Sequence, residues 1–118
     1  MNVLLVDDNK AMRLMVRRTL LLTGIANLQV DEAENGSDAL AKLVSAEPDV
    51  ILSDWSMPEM SGVDLLRELR SRGSTVRFGF VTPNAPSAQM LEKAFQAGAQ
   101  FVIAKPFSVQ RFRDALAG

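Results

Sequence analysis

The sequence predicts an α/β domain: a doubly wound, five-stranded parallel sheet with five helices on its two faces. Three observations predict it. Short continuous apolar runs recur, as in strands buried on both faces. Longer segments with apolar residues at helical spacing alternate with them. That alternation implies βαβ units, and right-handed crossovers then put helices on both sides of the sheet.

The elements follow in order. Val3-Leu4-Leu5-Val6 is the first run and ends at Asp7-Asp8. From Ala11 to about Thr23, Met12, Met15, Val16, Thr19 and Leu20 predict an amphipathic helix, which Gly24 stops. A weaker strand is expected near Leu28 to Asp31, and Asn35-Gly36 reads as a turn. Ala39, Leu40, Leu43 and Val44 mark the buried stripe of a second helix, closed by Pro48. Val50-Ile51-Leu52-Ser53 is a strongly apolar strand ending at Asp54. A loop from Met57 to Gly62 leads into a helix with Leu65, Leu66 and Leu69 inward. Phe78 to Val81 forms the fourth strand, ending at Thr82, and Pro83 to Pro86 is a loop. Met90, Leu91, Ala94 and Phe95 give the fourth helix its stripe, and Gly98 ends it. Phe101 to Ala104 is the fifth strand, ending at Lys105, and Val109, Phe112 and Leu116 outline a short last helix. With no linker, repeat or low-complexity stretch, residues 1–118 read as one domain. The short last helix is what a domain cut from a longer chain would show.

Composition narrows the chemistry. The 118 residues are 47% hydrophobic and 23% charged, ordinary globular usage that argues against disorder. No apolar run is long enough for a signal sequence or membrane span. There is no cysteine, which removes disulfides and thiolate metal sites and suits a cytoplasmic setting. There is no histidine, which removes hydrolase triads and imidazole-ligated metals. The net charge of −1 offers no general field for nucleic acid. Chemistry must therefore run on carboxylates, hydroxyls, lysines and backbone groups.

In open parallel sheets, ligands bind beyond the carboxyl ends of the strands, near a switch in strand order. Asp7, Asp8, Asp54, Thr82 and Lys105 each stand just past a predicted strand. If those ends converge, the crevice holds three carboxylates, a hydroxyl and an ammonium. Crowded carboxylates raise a pKa unless a counter-charge arrives. Mg²⁺ suits such a site, because it takes oxygen ligands from a couple of carboxylates plus phosphate oxygens. A carboxylate can also attack phosphorus to give an aspartyl phosphate. The lysine would then offset charge on the transferring group and the threonine hydroxyl would hydrogen-bond it. Taken singly each residue has a plainer reading: Asp7-Asp8 as turn and helix cap, Asp54 as a loop-shaping residue, Thr82 as a β-branched strand residue, Lys105 as a solvated surface lysine.

The stretches Leu4-Leu5-Val6-Asp7-Asp8, Ser53-Asp54-Trp55-Ser56-Met57-Pro58, Ser61-Gly62, Val81-Thr82, Ala97-Gly98-Ala99 and Lys105-Pro106-Phe107 resemble the receiver domain of two-component response regulators, especially the stand-alone chemotaxis-type form. The resemblance covers the whole chain. It implies the flavodoxin-like strand order 2-1-3-4-5. It also implies that Asp54 accepts a phosphoryl group and that Asp8, Asp54 and the Ser56 carbonyl bind Mg²⁺, with Asp7 acting largely through water. Thr82 and Lys105 would contact the phosphoryl group, and Lys105-Pro106 would be cis. The donor implied is a phosphohistidine on a histidine kinase, a phosphotransfer protein, or a small acyl phosphate. The output implied is binding to a downstream protein. No direct binding to nucleic acid or membrane is expected. The domain would catalyse only its own phosphorylation and dephosphorylation.

Three positions depart from that family. Pro83 follows Thr82 where relatives carry a small residue, and proline has no N–H to donate to a phosphoryl group. Three residues before Lys105, where an aromatic is usual, stands Val102, and Phe101 must face the other way because strand side chains alternate. The stretch from Thr82 to Ala97 is one residue longer than in the chemotaxis form and holds Pro83 and Pro86, which stiffen it. These departures keep open a constitutive, pseudo-receiver interaction module. A phosphatase working through an aspartyl phosphate would want an acid or base where Ser56 stands. A flavodoxin-like cofactor binder would want a Ser-, Thr- and Gly-rich loop after the first strand.

Overall fold

Aliphatic and β-branched runs supply five parallel strands, and the segments between them supply the helices. The computed structural model describes residues 1–117. The strands are β1 (Asn2–Val6), β2 (Gln29–Ala33), β3 (Val50–Ser53), β4 (Arg77–Thr82) and β5 (Phe101–Ala104). The helices are α1 (Lys10–Leu21), α2 (Gly36–Leu43), α3 (Gly62–Ser71), α4 (Ala88–Ala97) and α5 (Val109–Ala117). The order across the sheet is β2-β1-β3-β4-β5. Strand order therefore reverses between β1 and β3, which places a topological switch point at their carboxyl ends.

Alternation along the strands builds two cores. Val3 and Leu5 of β1, Val50 and Leu52 of β3, and Ile103 of β5 face α1 and α5, where Val16, Leu20, Phe112 and Leu116 meet them. Leu4, Val6, Ile51, Phe78, Phe80 and Val102 point the other way, against α2, α3 and α4. β1 and β3 are thus covered on both faces, which is why they read as unbroken apolar runs.

Helix boundaries follow local chemistry. The Asn9 side chain accepts from the Met12 N–H to start α1, and Ser61 and Asp64 form a reciprocal capping box at α3. Gly98 ends α4 at φ 109°, where a side chain would be strained.

Four expectations shift. Asn35-Gly36 is not a free turn: Asn35 caps α2 by accepting from the Asp38 N–H, and Gly36 is its first residue. The second strand begins and ends later than expected, at Gln29 and Ala33. Val44 is 83% exposed, because α2 ends at Leu43 and Val44 is its cap. Phe95 is 49% exposed, because α4 meets the core along a narrow line on which Ala94 is the one fully buried residue.

Candidate functional site

Register brings the acids to one place. Val6 pairs with Ser53, so the residues after them, Asp7 and Asp54, stand side by side at the switch point. The ladder runs one step past the strands: the Asp54 N–H donates to the Val6 carbonyl at 2.9 Å and the Asp7 N–H to the Ala33 carbonyl at 3.1 Å. Asp7, Asp8 and Asp54 each offer an oxygen, all within 4.8 Å of one another.

The loop after β3 is packed hard against Asp54. The Gly62 N–H donates to the Trp55 carbonyl at 2.8 Å, which folds the loop back onto the strand end. A Cβ on Gly62 would lie 2.0 Å from the Asp54 carbonyl oxygen and 2.8 Å from the Phe80 ring, so only glycine fits. Trp55 sits edge-on to Phe80 with ring centroids 4.9 Å apart, and Phe80 sits edge-on to Phe78 at 5.2 Å. An aromatic stack therefore floors the loop beside Asp54.

The electrostatics are those of crowded acids. Burial, then the charges of Asp7 and Asp8, push Asp54 from the usual 3.8 up to about 6, against the N–H groups of Trp55 and Ser56, which favour the carboxylate. The Trp55 bond to Asp54 Oδ1 is 2.8 Å. Asp7 is buried, and burial first and the Asp8 charge next raise its pKa, although Oδ1 accepts from the Asn9 N–H at 2.8 Å.

Thr82 and Lys105 arrive at the same edge on adjacent strands. Thr82 pairs with Ala104, and the Lys105 N–H donates to the Thr82 carbonyl at 3.0 Å. Thr82 is buried, and its Oγ1 accepts a long 3.4 Å bond from the Asn84 N–H across Pro83. Lys105 is exposed, precedes a cis bond to Pro106, and forms no ion pair among the described residues. Ser56 lies exposed in the loop after Asp54. The three aspartates are thus brought together, whereas neither Thr82 nor Lys105 bonds to Asp54 directly.

The β5 expectation holds. Phe101 lies on the α1/α5 side and Val102 on the other. The Phe101 ring occupies the space over Gly79, where a Cβ would come within 2.0 Å of it, and Arg77 lies 5.6 Å above its centroid.

Sequence reading missed Arg13 and Glu32. Arg13 donates Nη1–H to the Asp7 carbonyl at 2.5 Å and Nε–H to Glu32 Oε1 at 2.8 Å. Two signals were available. Arg13 and Arg17 are one turn apart on α1, and Glu32 falls two residues after the buried Val30, hence on the same side of β2.

The donor chemistry fits a hard divalent cation: three clustered carboxylates in a chain without cysteine or histidine. A doubly wound sheet with such a cluster at its switch point defines a class of α/β domains whose ligand site lies beyond the carboxyl ends of the strands. Within that class, a family model described as the response regulator receiver domain matches residues 3–117, and the chain belongs to that family. It is 36% identical to the chemotaxis protein CheY1 of Helicobacter pylori, over 98% of this chain and 94% of that protein. It is also 36% identical to the chemotaxis protein CheY of Pseudomonas aeruginosa, over 98% and 93%. The crystal structure of chemotaxis protein CheY4 of Vibrio cholerae superposes with a TM-score of 0.84 at 31% identity, covering 98% of this chain and 95% of that one. The chain is therefore a receiver domain of the kind that serves two-component phosphorelay signalling. Among the described residues, no helix is long and apolar enough to cross a membrane.

Proposed function

We propose that Asp54 accepts a phosphoryl group from a phosphohistidine of a histidine kinase or phosphotransfer protein, in a Mg²⁺-dependent step, and that this switches a protein-binding surface. The observation that carries the reading is the convergence of Asp7, Asp8 and Asp54 oxygens within 4.8 Å at the switch point. An Asp54 carboxylate oxygen forms the new bond to phosphorus, the phosphorus–nitrogen bond to the donor breaks, and the imidazole nitrogen keeps the electron pair and takes up a proton. At about 6, the Asp54 pKa leaves most of the population ionised, and so nucleophilic, at neutral pH. Asp7, Asp8 and Asp54 would hold the metal, with the Ser56 carbonyl completing the set. Bound there, Mg²⁺ supplies positive charge against the carboxylates and the incoming phosphoryl oxygens. The Thr82 hydroxyl would donate to one phosphoryl oxygen and the Lys105 ammonium would pair with another.

Apart from its own aspartyl phosphorylation and dephosphorylation, the domain turns over no substrate on this reading, and it works in the cytoplasm. The test is incubation with acetyl phosphate and Mg²⁺, followed by intact mass. One added phosphoryl group (about 80 Da), absent in Asp54→Ala, is the expected result. An unmodified wild type would leave the constitutive interaction module as the better reading, and steady hydrolysis of phosphate esters would mark an enzyme instead.

A further inference from the structure

Among the described residues, Arg13 is the one guanidinium built into the wall of the acidic site. Its side chain is 13% exposed, and it reaches two elements at once, the end of β1 and the middle of β2. It does not pair with a carboxylate of the cluster. Instead Nη1 takes the backbone carbonyl of Asp7, while Nε takes Glu32. A planar fork held at two points has a fixed orientation, which an ammonium would lack.

The far side of Glu32 is held too. Arg17 Nη1 donates to Glu32 Oε2 at 3.2 Å and to the Val30 carbonyl at 2.9 Å. Glu32, on an edge strand, is thus fixed by α1, and it fixes Arg13 in turn. Asp7 is then gripped from both ends, its carbonyl by Arg13 and its Oδ1 by the Asn9 N–H. A cavity of about 10 Å³, with room for roughly one water, lies beneath, lined by Asp7, Arg13, Asp54, Val16 and Leu52. Movement of Arg13 would therefore be felt under both carboxylates.

We infer that Arg13, oriented by Glu32, is a positioning residue that holds the Asp7-Asp8 corner in its metal-binding arrangement. The inference rests on the reading of the site given above and deepens it. Charge and positioning predict opposite signs. A cation beside the cluster repels a second cation, so an Arg13 that acted by charge alone would weaken Mg²⁺ binding, and its removal would tighten it. A residue that orients a ligand does the reverse: removal weakens binding, by about tenfold or more for partners of this kind.

The experiment is titration of the 118-residue chain with MgCl₂ alone, followed by Trp55 emission and by calorimetry. Wild type responds and Asp54→Ala does not, if the site is read correctly; a wild type silent in both measurements overturns that reading and this inference with it. Arg13→Ala raises the Kd about tenfold, and Arg13→Lys recovers part of the loss. Arg17→Ala removes one of the two arginines that hold Glu32 without touching Asp7, and raises the Kd less than Arg13→Ala does. An Arg13→Ala affinity equal to or tighter than wild type overturns the inference while the site reading stands. So does an equal loss in Arg17→Ala, which would mark a merely structural brace. Should Arg13→Ala fail to fold, Glu32→Ala carries the test, with a smaller loss expected and unchanged affinity overturning it.

Discussion

Glu32 and Asp54 are carboxylates of the same sheet with opposite surroundings. Glu32 has guanidinium nitrogens of Arg13 and Arg17 at 2.8 and 3.2 Å. Asp54 has Asp7 and Asp8 beside it, no cationic side chain bonded to it among the described residues, and a pKa pushed up to about 6 by burial and those charges. The fold neutralises the acid that joins β2 to α1. It leaves Asp54 at the switch point beside two other acids, and that crowding disfavours its charged form. A cluster of carboxylates is a local conflict of the kind expected at functional positions.

The largest way to break this contrast is through the backbone. Gly62→Ala would set a Cβ 2.0 Å from the Asp54 carbonyl oxygen. We expect a loss of about 3 kcal/mol or more in denaturant unfolding, at the upper end for overpacking because a backbone atom rather than a side-chain tip must move. The loop carrying Trp55 shifts with it, so the Mg²⁺ response should fall in the same variant.

Charge gives the next effect. Asp54→Asn removes the repulsion and should stabilise the metal-free protein at pH 7 by about 1 kcal/mol, discounting the pKa rise for solvent screening. The same rise sets a pH dependence. Asp54 in the folded chain titrates near 6, above its ordinary 3.8, so between those values the folded state holds more protons than the unfolded one. The Asp54 contribution to stability in EDTA, read as the difference between wild type and Asp54→Asn, should therefore be most favourable below about pH 4 and decline as pH rises to about 6. Mg²⁺ should restore it above that range. A melting-temperature difference between wild type and Asp54→Asn that holds level across this window would remove the charge conflict.

The smallest effect has the opposite sign. Glu32→Gln keeps the shape and removes the charge that two arginines share. It should lower stability by about 0.5–1 kcal/mol in the same unfolding measurement, as expected for a partly exposed ion-pair network. If Glu32→Gln and Asp54→Asn both stabilised the metal-free chain, the contrast between the two acids would disappear.

Much of this was legible along the chain. β3 and β5 begin and end where their apolar runs do, because both are covered on both faces and no polar residue interrupts them. The five residues at the strand ends were legible for the same reason: a polar residue that closes a buried run marks a carboxyl edge. Val44 and Phe95 were misplaced because periodicity finds a helix's apolar side but not how much of it a neighbour covers. Asn35-Gly36 misled because asparagine before glycine serves a turn and a helix cap equally well. Arg13 was hidden because its partners are a backbone carbonyl and a glutamate 19 residues away, and neither has a local signature.

By itself the sequence determined the alternation of buried strands and amphipathic helices, the placement of three aspartates, a threonine and a lysine at strand ends, and the opposed faces of Phe101 and Val102. These follow from periods of 2.0 and 3.6 residues, which are properties of the local backbone. The strand order expected from the family resemblance is the one observed, with β1 beside β3; only the tertiary structure decided that the aspartate oxygens lie within 4.8 Å and that Arg13 and Glu32 stand behind them. Pairing of distant strands and Coulomb interactions depend on distance through space, which no spacing along the chain encodes.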